Sequence, residues 1–317
     1  MTARGEEGGG LGRVAFGAVG GAMADVVPRL VTYPLETLKS RSIVTPVLNK
    51  QLSKNKDPAQ LPKPRLAWRE TLSRTYQTLG LWRGFFPGVH VALLGTIPGS
   101  AAYFFGYEVG KMATAGHSPA VQGAVSGVAA QLIANVFHTP IDNVKERAQV
   151  QESVVRAGGQ KRVYSTSELV RRVAREEGLG AFMRGYWRGN LLWMPWSVLY
   201  VSGYEHLKRS TAEGVWTPFE DSEDSRTLRL GACSAASSAA ACVLTHPIDV
   251  LKTRMQALPA GLVPGNGLGL ATEVRRLLRA EGVSGLFAGL PFRVAQLSPA
   301  TVMTWMIYEK LAERFAG

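Results

Sequence analysis

The stretch Tyr33-Pro34-Leu35-Glu36-Thr37-Leu38-Lys39 is written twice more in this chain. It returns as Thr139-Pro140-Ile141-Asp142-Asn143-Val144-Lys145, and again as His246-Pro247-Ile248-Asp249-Val250-Leu251-Lys252. Each copy sets a proline, an acid two residues on and a lysine three beyond that, at the end of an apolar run. The prolines stand 106 and 107 residues apart, so the 317 residues fall into three near-equal repeats, 12–115, 116–213 and 226–317. One such pattern can arise by chance. Three in register mean one supersecondary unit used three times.

Bulk composition is ambiguous, but the placement of charge is not. The chain is 46% hydrophobic with a net charge of +12 and a mean hydropathy of only +0.01. A basic balance fits nucleic acid or an anionic membrane surface. Residues 84–107 and 112–141 nevertheless contain no Asp, Glu, Lys or Arg, and neither do the shorter runs 189–204, 230–248 and 294–308. A sixth run, 14–31, is apolar except for Asp25 and Arg29. About 20 apolar residues cross a bilayer, and flanking residues that snorkel can extend a shorter core. The spacing predicts an all-α membrane protein with six transmembrane helices.

The cations are also sorted by side. Connections 39–83, 145–188 and 252–293 carry 26 Lys and Arg, against five in 108–118 and 205–229. By the positive-inside tendency the three long connections face the compartment of negative potential, with both termini on the other side. Short basic loops between spans argue against a nucleic-acid partner. No Walker loop, dinucleotide fingerprint or nucleophile–His–acid grouping is present, so an enzyme is not expected. Cys233 and Cys242 lack the spacing and the histidines of a zinc site and read as small buried thiols, so neither metal nor cofactor is expected. The opening MTARGEEGGGLG has two acids and no Arg-rich amphipathic helix, unlike a cleaved targeting peptide.

Each repeat reads as a helix, a basic loop with a short amphipathic helix, and a second helix. Small residues four apart, Gly17/Gly21, Gly123/Gly127 and Gly231/Ala235, predict close packing of the first helices. Glu177-Gly178 and Glu281-Gly282 precede Arg184-Gly185 and Ala288-Gly289; the first repeat offers Leu79-Gly80 and Arg83-Gly84, without the acid. The second helices end in Tyr107-Glu108-Val109-Gly110-Lys111, Tyr204-Glu205-His206-Leu207-Lys208 and Tyr308-Glu309-Lys310-Leu311-Ala312.

Together these motifs resemble the mitochondrial carrier family over essentially the whole chain. P-x-[DE]-x-x-[KR] is matched three times; [FY]-[DE]-x-x-[KR] is matched twice and broken at Ala312. The resemblance implies three-fold pseudosymmetry, six tilted helices around a central cavity, and the inner mitochondrial membrane. The implied partners are a small solute and a lipid bilayer, cardiolipin among its lipids, with a monomer as the working unit.

Prolines 34, 140 and 247 remove a backbone hydrogen bond and kink their helices, which can bring three charged ends together. The expected pairs of this matrix gate are Glu36 with Lys145, Asp142 with Lys252, and Asp249 with Lys39. Glu108, Lys111, Glu205, Lys208 and Glu309 would form the cytoplasmic gate, which lacks a third base at Ala312. In the family, substrate contacts lie near the central prolines of the even helices, here Pro98, Pro195 and Pro299. They map to Gly95 with Thr96, Leu192 with Trp193, and Gln296; Arg29, Asp25 and Asn135 join them from the odd helices. An ionisable residue within a span tends to face a cavity, and a structural i, i+4 pair between Asp25 and Arg29 is the alternative. None of the even-helix positions is charged, which argues against nucleotides and dicarboxylates. The set suits a small zwitterion resembling S-adenosylmethionine or an amino-acid derivative. Other motifs resemble mitoferrins, leaving an iron carrier as the alternative, and a non-transporting scaffold as a third.

Overall fold

The computed structural model describes residues 26–48, 67–156, 161–212, 223–259 and 270–316. Those residues are helical, with no strand among them. In chain order the helices are α1 (26–48), α2 (Ala67–Phe85), α3 (Val89–Ala113) and α4 (Pro119–Arg156), then α5 (Thr166–Glu176), a 3₁₀ turn (Leu179–Met183) and α6 (Tyr186–Ala212). The third repeat supplies α7 (Glu223–Ala257), α8 (Leu270–Glu281), α9 (Val283–Leu286) and α10 (Leu290–Ala316). Each repeat is thus a long odd helix, a short surface helix and a long even helix.

The long helices run through their prolines: Pro34 in α1, Pro98 in α3, Pro140 in α4, Pro195 in α6, Pro247 in α7 and Pro299 in α10. Two of them, α3 and residues 121–155 of α4, are long and apolar enough to cross a membrane by composition alone. The interior holds as many polar and charged side chains as apolar ones, while Leu94, Ile97, Phe105, Trp187, Val198 and Leu244 stand exposed. That inversion of the water-soluble pattern is what a protein solvated by lipid presents.

The short helices α5 and α8 are amphipathic, and each short segment is broken by a left-handed glycine: Gly80, at a kink inside α2, at φ 67°, Gly178 at 78° and Gly282 at 70°. The chain then turns on a second such glycine that starts the even helix, Gly88, Gly185 or Gly289. Each of these packs against the odd helix of the next repeat, on Ala148, Gln256 and Lys39 respectively. A side chain there would meet both the φ penalty and a neighbour at 3.1 Å. In the first repeat the structure uses Gly88, not Gly84, one residue later than the register of the other two repeats.

The small-residue expectation needs correcting. A Cβ on Gly123 or Gly127 would meet nothing within 4 Å, and Gly17 and Gly21 lie outside the described residues. Close approach comes instead from α3. There Gly106 sits against the backbone of Ala129 and Ala130, and Gly110 against Ser126 on α4. Gly231 does touch Val302 of α10, at ordinary contact distance.

Candidate gate and solute path

The three signature motifs meet at one end of the bundle and pair in a cycle. Lys145 Nζ donates to Glu36 Oε1 at 2.8 Å, Lys252 Nζ to Asp142 Oδ2 at 2.7 Å, and Lys39 Nζ to Asp249 Oδ2 at 3.2 Å. Lys145 also reaches Asp142 Oδ1 at 3.3 Å. The three bonds from Lys145 to Glu36, Lys252 to Asp142 and Lys39 to Asp249 each join one repeat to another, so the ring ties the first repeat back to the third. All six side chains are at least four-fifths shielded from solvent, where an ion pair is costly to leave half-made.

Beyond the ring lie two layers not foreseen from the motifs. One is an apolar plug that includes Ile43, Val44, Val150, Val250 and Leu258, drawn from the ends of α1, α4 and α7. The other is a second three-fold cycle: Arg41 Nε donates to the Gln149 carbonyl, Arg147 Nε to that of Gln256, and Arg254 Nε to that of Ile43, at 2.9, 3.2 and 3.3 Å. The available signal was the triplicated Lys-x-Arg at 39/41, 145/147 and 252/254. Arg147 and Arg254 also clamp Glu177 and Glu281 with two hydrogen bonds each, fixing the short helices to the odd ones. The first repeat has Leu79 at that place. Arg41 turns instead to Thr75 Oγ1 at 3.0 Å and to Glu152 of the second repeat at 3.5 Å.

The opposite end is different. Among the described residues, Glu108, Lys111, Glu205 and Lys208 form no salt bridge, and Lys111 and Lys208 are exposed. The side chains of Glu309 and Ala312 lie outside the described residues. One end is therefore closed by charge and apolar packing, while at the other Glu108, Lys111, Glu205 and Lys208 make no salt bridge with one another or with any other described residue.

The proposed substrate contacts divide. Gly95 packs on Ile141, Thr96 is 1% exposed with its hydroxyl bonded to the Ala92 carbonyl, and Leu192 is 1% exposed. Asn135 is buried too, donating to Asn190 Oδ1 at 2.6 Å across α4 and α6. These four sit in helix contacts in this conformation, not on an open wall, because small and amide side chains satisfy close helix packing. Arg29, Trp193 and Gln296 are half-buried, and Asp25 lies outside the described residues. Trp193 begins an aromatic stripe along α6. Its ring lies 5.5 Å from Trp196, Trp196 stacks at 5.1 Å on Tyr200, and Tyr200 lies 6.3 Å from Tyr204. Lys252 of the closed ring stands 6.0 Å above Trp193, and Lys208 stands 5.8 Å above Tyr204 at the other end.

A family model described as mitochondrial carrier protein matches residues 13–118, 116–214 and 223–317, one match per repeat. The chain belongs to the mitochondrial carrier family. Human Mitoferrin-2 is 30% identical over 92% of this carrier and 74% of its own length. Mouse Mitoferrin-1 is 30% identical over 91% and 80%. The mouse mitochondrial S-adenosylmethionine carrier protein is 26% identical over 88% and 87%. Carriers of this family are transporters rather than enzymes, and this carrier is read accordingly.

Proposed function

We propose that this carrier moves a small solute across the inner mitochondrial membrane by alternating access, with six transmembrane helices and both termini in the intermembrane space. The ring of Glu36, Lys39, Asp142, Lys145, Asp249 and Lys252 acts as the matrix gate, and Glu108, Lys111, Glu205, Lys208 and Glu309 at the far end belong to the cytoplasmic gate. The observation that carries this reading is the contrast between a fully paired ring at one end and no pairing among the described charges at the other. Solute binding would supply the free energy to break the three bridges.

For the solute, the favoured reading is a cation-bearing zwitterion with an aromatic part, of the S-adenosylmethionine kind. The Trp193–Tyr204 stripe offers ring faces to stack a planar group and hold a positive one. Arg29, Trp193 and Gln296 are the proposed contacts. Ferrous iron is the second reading, supported by the two mitoferrin relatives. It would want His, Met or carboxylate ligands along the path. Neither His138, packed beside Gly99, nor His246, buried against Ala288, stands there.

Thermal melting of the purified protein with S-adenosylmethionine, S-adenosylhomocysteine, amino acids, nucleotides and ferrous iron separates the readings. At a hundredfold excess over Kd, a ligand stabilises the folded state by about 2.7 kcal/mol. A shift with S-adenosylmethionine that is lost in Trp193→Ala and Arg29→Ala is the expected result. A shift with iron alone promotes the second reading. No shift across the panel favours a scaffold.

A further inference from the structure

The three residues before the signature prolines are Tyr33, Thr139 and His246. Tyr33 and His246 do the same structural work: Tyr33 Oη donates to the Pro87 carbonyl at 2.8 Å, and His246 Nε2 bonds the Ala288 carbonyl at 3.0 Å. Each accepting carbonyl precedes the left-handed glycine that starts an even helix. The anchor needs one donor, and tyrosine supplies it without a second polar atom. Histidine leaves one over.

The carbonyl sets the tautomer, because an oxygen acceptor requires the proton on Nε2. Nδ1 is then bare, and it is buried with no hydrogen-bond partner. It lies 4.0 Å from Asp249 Oδ2, with the ring 0% exposed. Two lone-pair-bearing atoms thus face each other beside the matrix ring. Asp249 holds two cations meanwhile: Lys39 Nζ from α1 at 3.2 Å and Arg293 Nε from α10 at 3.5 Å. Arg293 is itself anchored to the Cys242 carbonyl and Thr245 Oγ1. Phe287 stacks on the imidazole from the loop before α10, and Lys252 is a further charge on α7 that acts on Asp249. With the imidazole fully buried and Lys39 and Arg293 already beside Asp249, the closed ring holds His246 neutral.

Opening the ring removes Lys39 and leaves Asp249 short of one cation. Asp249 then keeps Arg293 alone at 3.5 Å, and the further group already aimed at its Oδ2 is Nδ1 at 4.0 Å. We propose that His246 is a proton-binding site which replaces Lys39 as the partner of Asp249, so that opening the matrix end takes up one proton. The proposal rests on the alternating-access reading, not on the identity of the solute. Its consequence is reciprocal: if opening binds a proton, protons favour opening.

The test uses Val150, 0% exposed in the apolar plug beyond the ring. Val150→Cys, in a chain carrying Cys233→Ala and Cys242→Ala, is reacted with a maleimide between pH 5.5 and 8. Each rate is divided by that of the denatured protein at the same pH. The expected result is a normalised rate that climbs as pH falls, by at most about tenfold per unit for one linked proton. With His246→Gln, which keeps a donor for Ala288 but cannot titrate, the profile should be flat. His246→Tyr, the residue of the first repeat, should also be flat and guards against a folding defect in the Gln variant. An unchanged pH dependence in either folded variant overturns the proposal and leaves the gate standing. Lys39→Ala should raise labelling at every pH; if it does not, the ring is not the gate and the proposal falls with it.

Discussion

Lys145 is the residue on which the closed end depends most. It serves Glu36 at 2.8 Å and Asp142 at 3.3 Å, and Glu36 has no other ion-pair partner in the ring. Asp142 keeps Lys145 when Lys252 is lost, and Asp249 keeps Arg293 when Lys39 is lost. Lys145→Ala should therefore cost about 3–5 kcal/mol of stability, the range for orphaning a buried charge, and Lys252→Ala distinctly less. Chemical denaturation in detergent measures the difference. Glu177 behaves as a structural acid outside the spans. Burial pushes its carboxyl up, but the hydrogen bonds and charges of Arg147 and Arg184 outweigh this and leave it below the ordinary 4.5. Its stabilising contribution is present above about pH 4.5 and is lost as pH falls through the lowered value. Glu177→Gln should lower the melting temperature at pH 7 and narrow its gap to wild type under acid.

At the scale of the element, glycines tell which helix faces meet. A Cβ on Gly110 would lie 2.5 Å from Ser126 Cα, and one on Gly106 would lie 2.8 Å from the Ala129 carbonyl oxygen. Backbone cannot swing aside, so Gly106→Ala or Gly110→Ala should destabilise by about 1–3 kcal/mol. Gly123→Ala and Gly127→Ala open no clash and should be neutral, or stabilising by up to about 1 kcal/mol through helix propensity. Melting temperatures of the four variants give the comparison directly. Spacing could not make this distinction, because small residues four apart occur on both α3 and α4. Which stripe meets a neighbour depends on how each helix is rotated. The left-handed glycines were partly legible: Gly178 and Gly282 follow an acid, and Gly80 follows Leu79 in register. The one-residue offset that makes Gly88 the turn residue was not, because two phenylalanines and a proline stand between it and Gly84.

Across the whole molecule, three repeats close on themselves through the ion-pair ring, the Arg41–Arg147–Arg254 cycle and the plug. The far end has fewer resources, since the third repeat offers Ala312 where the others carry Lys111 and Lys208. Ala312→Lys should strengthen closure there and slow uptake of labelled solute into proteoliposomes. An unchanged rate would mean that closing the cytoplasmic end does not limit transport.

The sequence by itself determined the repeat number, the helical class and the pairing partners in the ring. A motif written three times carries its symmetry with it, and opposite charges one turn apart on symmetric helix ends have few ways to meet. Which of the candidate contacts pack between helices was decided only in three dimensions. Gly95, Thr96, Asn135 and Leu192 went into helix contacts while Trp193 and its aromatic neighbours formed a stripe. A polar or small residue can satisfy itself against a helix or a solute, and only the rotation of the packed helices chooses between them.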